Sequence, residues 1–301
     1  MYSQMKALSI DKKLSNLLIS SQIEGILYSV FERAINLKTS SGELISVVSR
    51  ENFNGPNTVV VSERFNLSEL FLNPGSSVIS SKNGLYFEEG LFIGFDCAIP
   101  WEYSLSQIEI NPLQLRKNLL YFASFFPGNN LLCPEEFIRD NFLSFQNLAS
   151  ASFLSENVIA FFNAIKDNNR GRIKTSLGRI IGSGEGLTPA GDDFIVGLLG
   201  VLYSFSIWNE FKDKANNILS VIKEEIDIER TNFISSRFLS FSLEGRFSQP
   251  VFEFLDLLFS CDDFRDDRSL RNILSYGASS GNVIALGILS GSWLLLMNSE
   301  Q

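Results

Sequence analysis

The chain has 301 residues, 45% of them hydrophobic and 20% charged, with a formal net charge of −9 and no histidine. That size and apolar content suit a globular protein with a sizeable core, and the acidic balance excludes a nucleic-acid binder, which needs a basic face. The missing histidine removes Ser-His-Asp and Cys-His catalysis, histidine general bases and most zinc and iron sites, leaving carboxylates, Lys, Arg, hydroxyls and backbone N–H groups for any chemistry.

From the N-terminus, no signal-peptide core is visible, and Lys13 to Phe31 places Leu14, Leu17, Leu18, Ile23, Ile26 and Leu27 at near-helical spacing. That stretch predicts one early helix. The period then changes. Ala34–Lys38, Leu44–Ser49, Thr58–Ser62, Ser77–Ser80, Leu85–Phe87 and Leu91–Phe95 are short runs rich in Val, Ile and Phe, parted by Ser41-Gly42, Asn54-Gly55-Pro56, Pro74-Gly75, Asn83-Gly84 and Glu89-Gly90. Short strands between turn dipeptides predict a small β-barrel or sandwich, and Asn83-Gly84 reads as a hairpin turn. Pro100 and Pro112 flank a connection.

Beyond it, helical patterns cover Leu113–Phe126, Glu135–Ala149, Ser155–Asp167, Ile173–Ile181, Asp192–Trp208, Phe211–Ile226, Thr231–Glu244, Pro250–Ser260, Asp266–Tyr276 and Asn282–Met297. The expected fold is therefore α+β: a mainly β domain with an N-terminal helix over residues 1–112, then an α-helical domain over 113–301, the two packed together. The apolar runs Phe194–Trp208 and Val283–Met297 fall short of the roughly 18–20 residues that span a bilayer. They read as buried helices, so no membrane partner is expected. Phe is abundant, at 27 residues, so aromatic packing should dominate the core. Cys97, Cys133 and Cys261 are scattered, as reduced thiols of a cytoplasmic protein would be.

The densest signal lies at Gly182-Ser-Gly-Glu-Gly-Leu-Thr-Pro-Ala-Gly-Asp-Asp193, ahead of an apolar run. Thr188 followed by Pro189 reads as an N-cap with proline at the first helical position. Glycines before a helix start aim unpaired N–H groups at one point, a natural anion site. With Thr188 as the cap, Asp192 and Asp193 fall past the first turn, inside an apolar element where unpaired charge is costly. Structural capping alone accounts for them poorly. Neither a Walker loop nor a dinucleotide fingerprint fits. Gly277-Ala-Ser279-Ser280-Gly281 opens a second helix with two hydroxyls, and Gly191-(x5)-Gly197 echoes Gly281-(x5)-Gly287. Gly197 with Gly200, and Gly287 with Gly291, would let the two helices approach closely, side by side, with their N-termini at a shared pocket. Thr231 and Ser235, four apart, are expected to share one helix face and supply a polar wall.

The Gly186–Gly197 string resembles the signature of the AllH-like family, which includes a subunit of oxamate carbamoyltransferase. Thr231-(x3)-Ser235 is similar to the family's Thr/Ser helix, and Gly277–Gly281 to its Gly-His-Ser-Ser-Gly turn. Ala278 stands where the family commonly has His, and Asn282 where it often has Asp. The resemblance implies interconversion of oxalurate plus phosphate with oxamate plus carbamoyl phosphate, in purine and allantoin breakdown, alongside partner subunits. Homo-oligomerisation stays open. On that reading Asp192 and Asp193 are the catalytic candidates, and Gly184, Gly186, Thr188, Gly191, Thr231, Ser235, Ser279, Ser280 and Gly281 bind a small carboxylate, carbamoyl or phosphate anion. No metal and no cofactor is expected. Two alternatives remain: a non-catalytic small-anion-binding or regulatory subunit, and a cation-dependent hydrolase built on the Asp pair.

Overall fold

The computed structural model describes residues 3–64, 70–104, 111–128, 133–208, 210–260 and 267–297. Cys261 and most of the acidic run 262–267 therefore lie outside the described residues. The chain falls into two compact units, Met1–Ser104 and Leu105–Gln301.

The first unit is a β-barrel. Its elements are β1 (Ser3–Asp11), α1 (Lys12–Ser20), β2 (Ile23–Phe31), β3 (Ala34–Thr39), β4 (Leu44–Ser49), β5 (Thr58–Val61), β6 (Ser77–Ser81), β7 (Gly84–Phe87), β8 (Leu91–Gly94) and β9 (Ile99–Trp101). The order is β5-β4-β3-β2-β6-β7-β8-β1, and β1 closes the ring by pairing antiparallel with β5, Ala7 opposite Val61. Closure leaves those eight strands without a free edge. The short β9 runs parallel to the end of β1, Ser9 opposite Ile99. Inward side chains, among them Leu27, Ile35, Val47, Val59, Val61, Leu85 and Ile93, form the core. On one element, α1, Leu14 and Leu18 join that core, and Asp11 caps it by accepting from the Leu14 N–H at 3.3 Å.

The single early helix expected over 13–31 is thus corrected: α1 ends at Ser20 and the remainder is β2. The leucines of α1 do follow the helical period. In β2, however, Gly25 lies so close to β3 that a Cβ there would stand 2.6 Å from the Lys38 carbonyl oxygen, which fixes it as strand. The six strands expected between Ala34 and Phe95 all form, with ends within a residue or so of their patterns.

The second unit is helical: α2 (Pro112–Ala123), α3 (Pro134–Phe145), α4 (Leu148–Lys166), α5 (Arg170–Ile180), α6 (Ala190–Ser206), α7 (Lys212–Glu225), a 3-10 turn at Ile228–Arg230, α8 (Phe233–Leu243), α9 (Gln249–Ser260), α10 (Arg268–Leu274) and α11 (Ser280–Met297). The expected helix over 135–149 divides at residues 146–147, where the Asn147 side chain caps a longer α4 by accepting from Ser150 N. At the centre are α6 and α11, nearly every described side chain buried. Their apolar runs face Phe142, Phe162 and other rings rather than lipid; the Phe194 ring lies 5.9 Å from each of those two. No helix among the described residues is long and apolar enough to cross a membrane.

The two central helices run in the same direction and cross on glycines. A Cβ on Gly197 would stand 2.0 Å from the Ile284 carbonyl oxygen, and one on Gly287 2.3 Å from that of Phe194. The contact is reciprocal, glycine of each helix on backbone of the other, as the sequence echo predicts. Gly291 also faces α6, at Leu198. Gly200 is the exception: it faces Leu255 and Val251 of α9, because it lies three residues on from Gly197, about 60° round the helix.

Propensity alone would make Gly197→Ala stabilising by about 1 kcal/mol. Backbone at 2.0 Å reverses the sign. Gly197→Ala and Gly287→Ala should each lose about 1–3 kcal/mol in urea unfolding, and a gain in either would refute the close crossing.

Candidate functional site

The starts of α6 and α11, each seven residues before its crossing glycine, lie beside each other. The Thr188 hydroxyl, just ahead of α6, lies 2.7 Å from the Ser280 hydroxyl at the start of α11. Thr188 also donates to Asp193 Oδ2 at 3.1 Å, and Ser280 hydrogen-bonds the same carboxyl. Thr188, Asp193 and Ser280 thus form one cluster from segments about ninety residues apart in sequence, as the Thr188–Ser280 spacing records.

Thr188 is not the N-cap. The helix opens at Ala190 with Pro189 in the cap position, so Asp192 and Asp193 lie in its first turn and not beyond it. Both their N–H groups donate to the Pro189 carbonyl. The proline ring holds φ near −54°, leaving the Thr188 hydroxyl free to turn toward Asp193 and Ser280 instead of capping. Position in the first turn favours negative charge through the helix dipole, but burial opposes it more strongly.

Asp192 is 1% exposed and fully engaged inside the protein. Its Oδ1 accepts from Gly182 N at 2.7 Å, and its Oδ2 from Thr231 Oγ1 at 2.5 Å and Ser235 Oγ at 2.6 Å. Burial raises its pKa above the ordinary carboxylate range, and these three donors, Ser235 foremost, pull the other way. Thr231 and Ser235 meet at this oxygen although they do not share a helix. Thr231 precedes the cap, Asn232, and only Ser235 lies in α8.

Asp193 has fewer donors and is pushed up to about 8, chiefly by desolvation and slightly by the charge of Asp192, against the hydrogen bonds of Ser280 and Thr188. At neutral pH it therefore carries a proton and has an O–H to donate. Tyr276, its phenol buried and bonded to Ser248, is raised too, first by burial and in part by Asp193. Neither aspartate forms an ion pair among the described residues, and no group of three or more His, Cys, Asp or Glu among them is placed to hold a metal ion.

The glycine loop stands over this floor. Gly182, Gly184 and Gly186 have φ of +77°, +112° and +98°, a left-handed alternation that side chains resist. Among the described residues the Gly184 and Gly186 amides meet no acceptor. Gly191 and Gly281 occupy equivalent places, each pressed on the carbonyl of the preceding helix, Ile180 and Ile273 respectively. Ser279 is half-buried at the α11 start, while Ala278 is exposed and brings no polar atom. Sequence reading missed the loop's holders: Gln146 accepts from Glu185 N at 3.2 Å, Asn147 donates to the Glu185 carboxylate, and Asn232 donates to the Leu187 carbonyl at 2.8 Å. Asn147 and Asn232 each stand just before an apolar helical pattern, a cap signal, but nothing local tells which loop they hold.

These features define a two-unit protein, a closed β-barrel followed by helices whose paired starts carry a buried aspartate pair. The model of the family described as oxamate carbamoyltransferase subunit AllH matches residues 180–292, and that of the AllH family N-terminal domain matches residues 6–100. The chain belongs to the AllH family. No curated protein and no solved structure matches it. The first match spans every loop of the cluster, and the second coincides with the barrel.

The raised pKa gives stability a definite pH dependence. The folded protein holds the Asp193 proton more tightly than the unfolded chain, whose value is near 3.8. Its contribution is whole below that value and is lost as pH rises through about 8. Wild-type stability in urea should therefore fall between about pH 4 and pH 8 and level off above, and Asp193→Asn, which cannot ionise, should flatten that fall. Parallel profiles for the two proteins would contradict the assignment.

Proposed function

We propose that this chain is an oxamate carbamoyltransferase subunit whose joined α6 and α11 starts bind a small carboxylate, carbamoyl or phosphate anion. The observation that carries the reading is the meeting of Thr188, Asp193 and Ser280 beneath a loop with unclaimed amides. Helix starts and left-handed glycine loops both present N–H groups to anions. In the reaction the family name indicates, every participant is such an anion: oxalurate and phosphate on one side, oxamate and carbamoyl phosphate on the other.

The chemistry divides among the residues. The Gly184 and Gly186 amides, with the hydroxyls of Ser279 and Ser280, take anionic oxygens. Preorganised donors of this kind also stabilise the oxyanion that develops when phosphate or an amine attacks a carbamoyl carbon. Asp193 and Thr188 take the carbamoyl group: an acid with one protonated oxygen donates to C=O, and its other oxygen accepts from NH2. Asp192 keeps the surrounding segments in register. Partner subunits follow from the word subunit in the family's description, and the pathway is purine or allantoin breakdown.

A second reading, a non-catalytic anion-binding subunit, is favoured by one feature. Asp193 is protonated near neutrality and Ala278 is apolar, so the cluster lacks a strong general base.

Titration calorimetry of the full chain with oxamate, oxalurate, carbamoyl phosphate and phosphate tests both readings. At least one should bind, and Ser280→Ala should weaken it roughly ten-fold, the loss of about one good hydrogen bond. Turnover on adding partner subunits selects the first reading, and binding without turnover the second. Failure of all four anions to bind, with and without partner subunits, would refute both.

A further inference from the structure

The loop from Gly182 to Pro189 is rich in glycine, and glycine gives up the most conformational freedom when it is ordered. Something outside the loop must hold its shape. Two asparagines do so in the same manner. Asn232 Oδ1 accepts from Ser235 N at 3.1 Å, capping α8, while its Nδ2 donates to the Leu187 carbonyl at 2.8 Å. Asn147 Oδ1 accepts from Ser150 N at 3.0 Å, capping α4, while its Nδ2 donates to the Glu185 carboxylate. Ser, Thr and Asp cap helices about as well as Asn. Of these residues only Asn has an acceptor and an N–H donor on different atoms, so both sites use the feature that distinguishes it.

We propose that Asn232 is a positioning residue for the glycine loop, capping α8 with its oxygen and fixing the Leu187–Thr188 peptide with its nitrogen. A peptide unit is planar, with C=O and N–H pointing to opposite sides. Turning the Leu187 carbonyl toward Asn232 therefore sets the direction of the Thr188 N–H, and with it the start of the residue whose hydroxyl meets Asp193 and Ser280. The same end of α8 grips the start of α6 through Thr231 and Ser235 on Asp192. Two clamps thus act from one element on adjoining parts of the loop and helix. Asn147 is the counterpart on the far side, two residues earlier in the loop. The link from loop shape to anion affinity rests on the function proposed above; the clamp itself does not.

Asn232→Asp separates the two roles, since aspartate keeps the cap and replaces the donor with an acceptor. Asn232→Ser also keeps the cap and takes the Nδ2 donor away, without adding charge. Hydrogen exchange of the full-length protein should show the amides of residues 183–188 exchanging roughly three- to ten-fold faster in both variants, the scale of one hydrogen bond. The thermal midpoint should fall by no more than about 2–4 °C, the scale of one hydrogen bond, because the cap survives. Oxamate and carbamoyl phosphate affinity, read by calorimetry, should fall by a similar factor. Unchanged loop exchange overturns the proposal, as does faster exchange spread over α8 with a larger fall in midpoint, which would mark a purely structural cap. If exchange quickens in the loop while wild type binds neither anion, the clamp stands and the anion reading fails.

Discussion

The close crossing of α6 and α11 is the constraint on which the candidate site depends. Two helices that touch through glycine, each against the other's backbone, are fixed in rotation and in register. Bulkier residues would push the axes apart toward the usual spacing of 8–10 Å. Because both helices run the same way through the crossing, and each begins seven residues before it, their starts lie on the same side of it. That is what brings Thr188 within hydrogen-bonding distance of Ser280. The buried aromatic rings around Phe194 then wall off the pair from below.

Burial of two successive aspartates follows from this arrangement and is resolved in two ways. Asp192 is surrounded by donors from three segments, so it serves as the knot that joins the glycine loop, the approach to α8, and α8 itself. Asp193 meets only hydroxyls, which can donate or accept, and keeps its proton instead. Two carboxylates of identical chemistry thus take different roles because their neighbours differ.

Much of the fold is legible in the sequence. The strands from Ala34 to Gly94 show themselves through β-branched runs and turn dipeptides, and the helices through their period. What is hidden is the short β9, which holds Pro100 where a connection is expected, and, earlier in the chain, β1 and β2. Both shift register part-way, between Ala7 and Ser9 and between Leu27 and Ser29. Such irregularities break the two-residue alternation by which strands are recognised, and they put Leu8 outside while Ala7 and Ile10 point in. In the site, the glycine echo foretells the helix pair and the meeting of their starts. The separate duties of the aspartates are not legible, because they are set by Gly182, Thr231 and Ser235 approaching in space. Thr188 reads as a cap from its neighbours alone; only its contact with Ser280 shows why its hydroxyl turns elsewhere.

The central claim is that two distant segments make one anion site. Amide chemical shifts followed by NMR during titration with carbamoyl phosphate test it most directly. The N–H signals of Gly184 and Gly186 and those of Ser279 and Ser280 should move together, along curves with a single dissociation constant. Movement of one group without the other, or two unrelated constants, would contradict it.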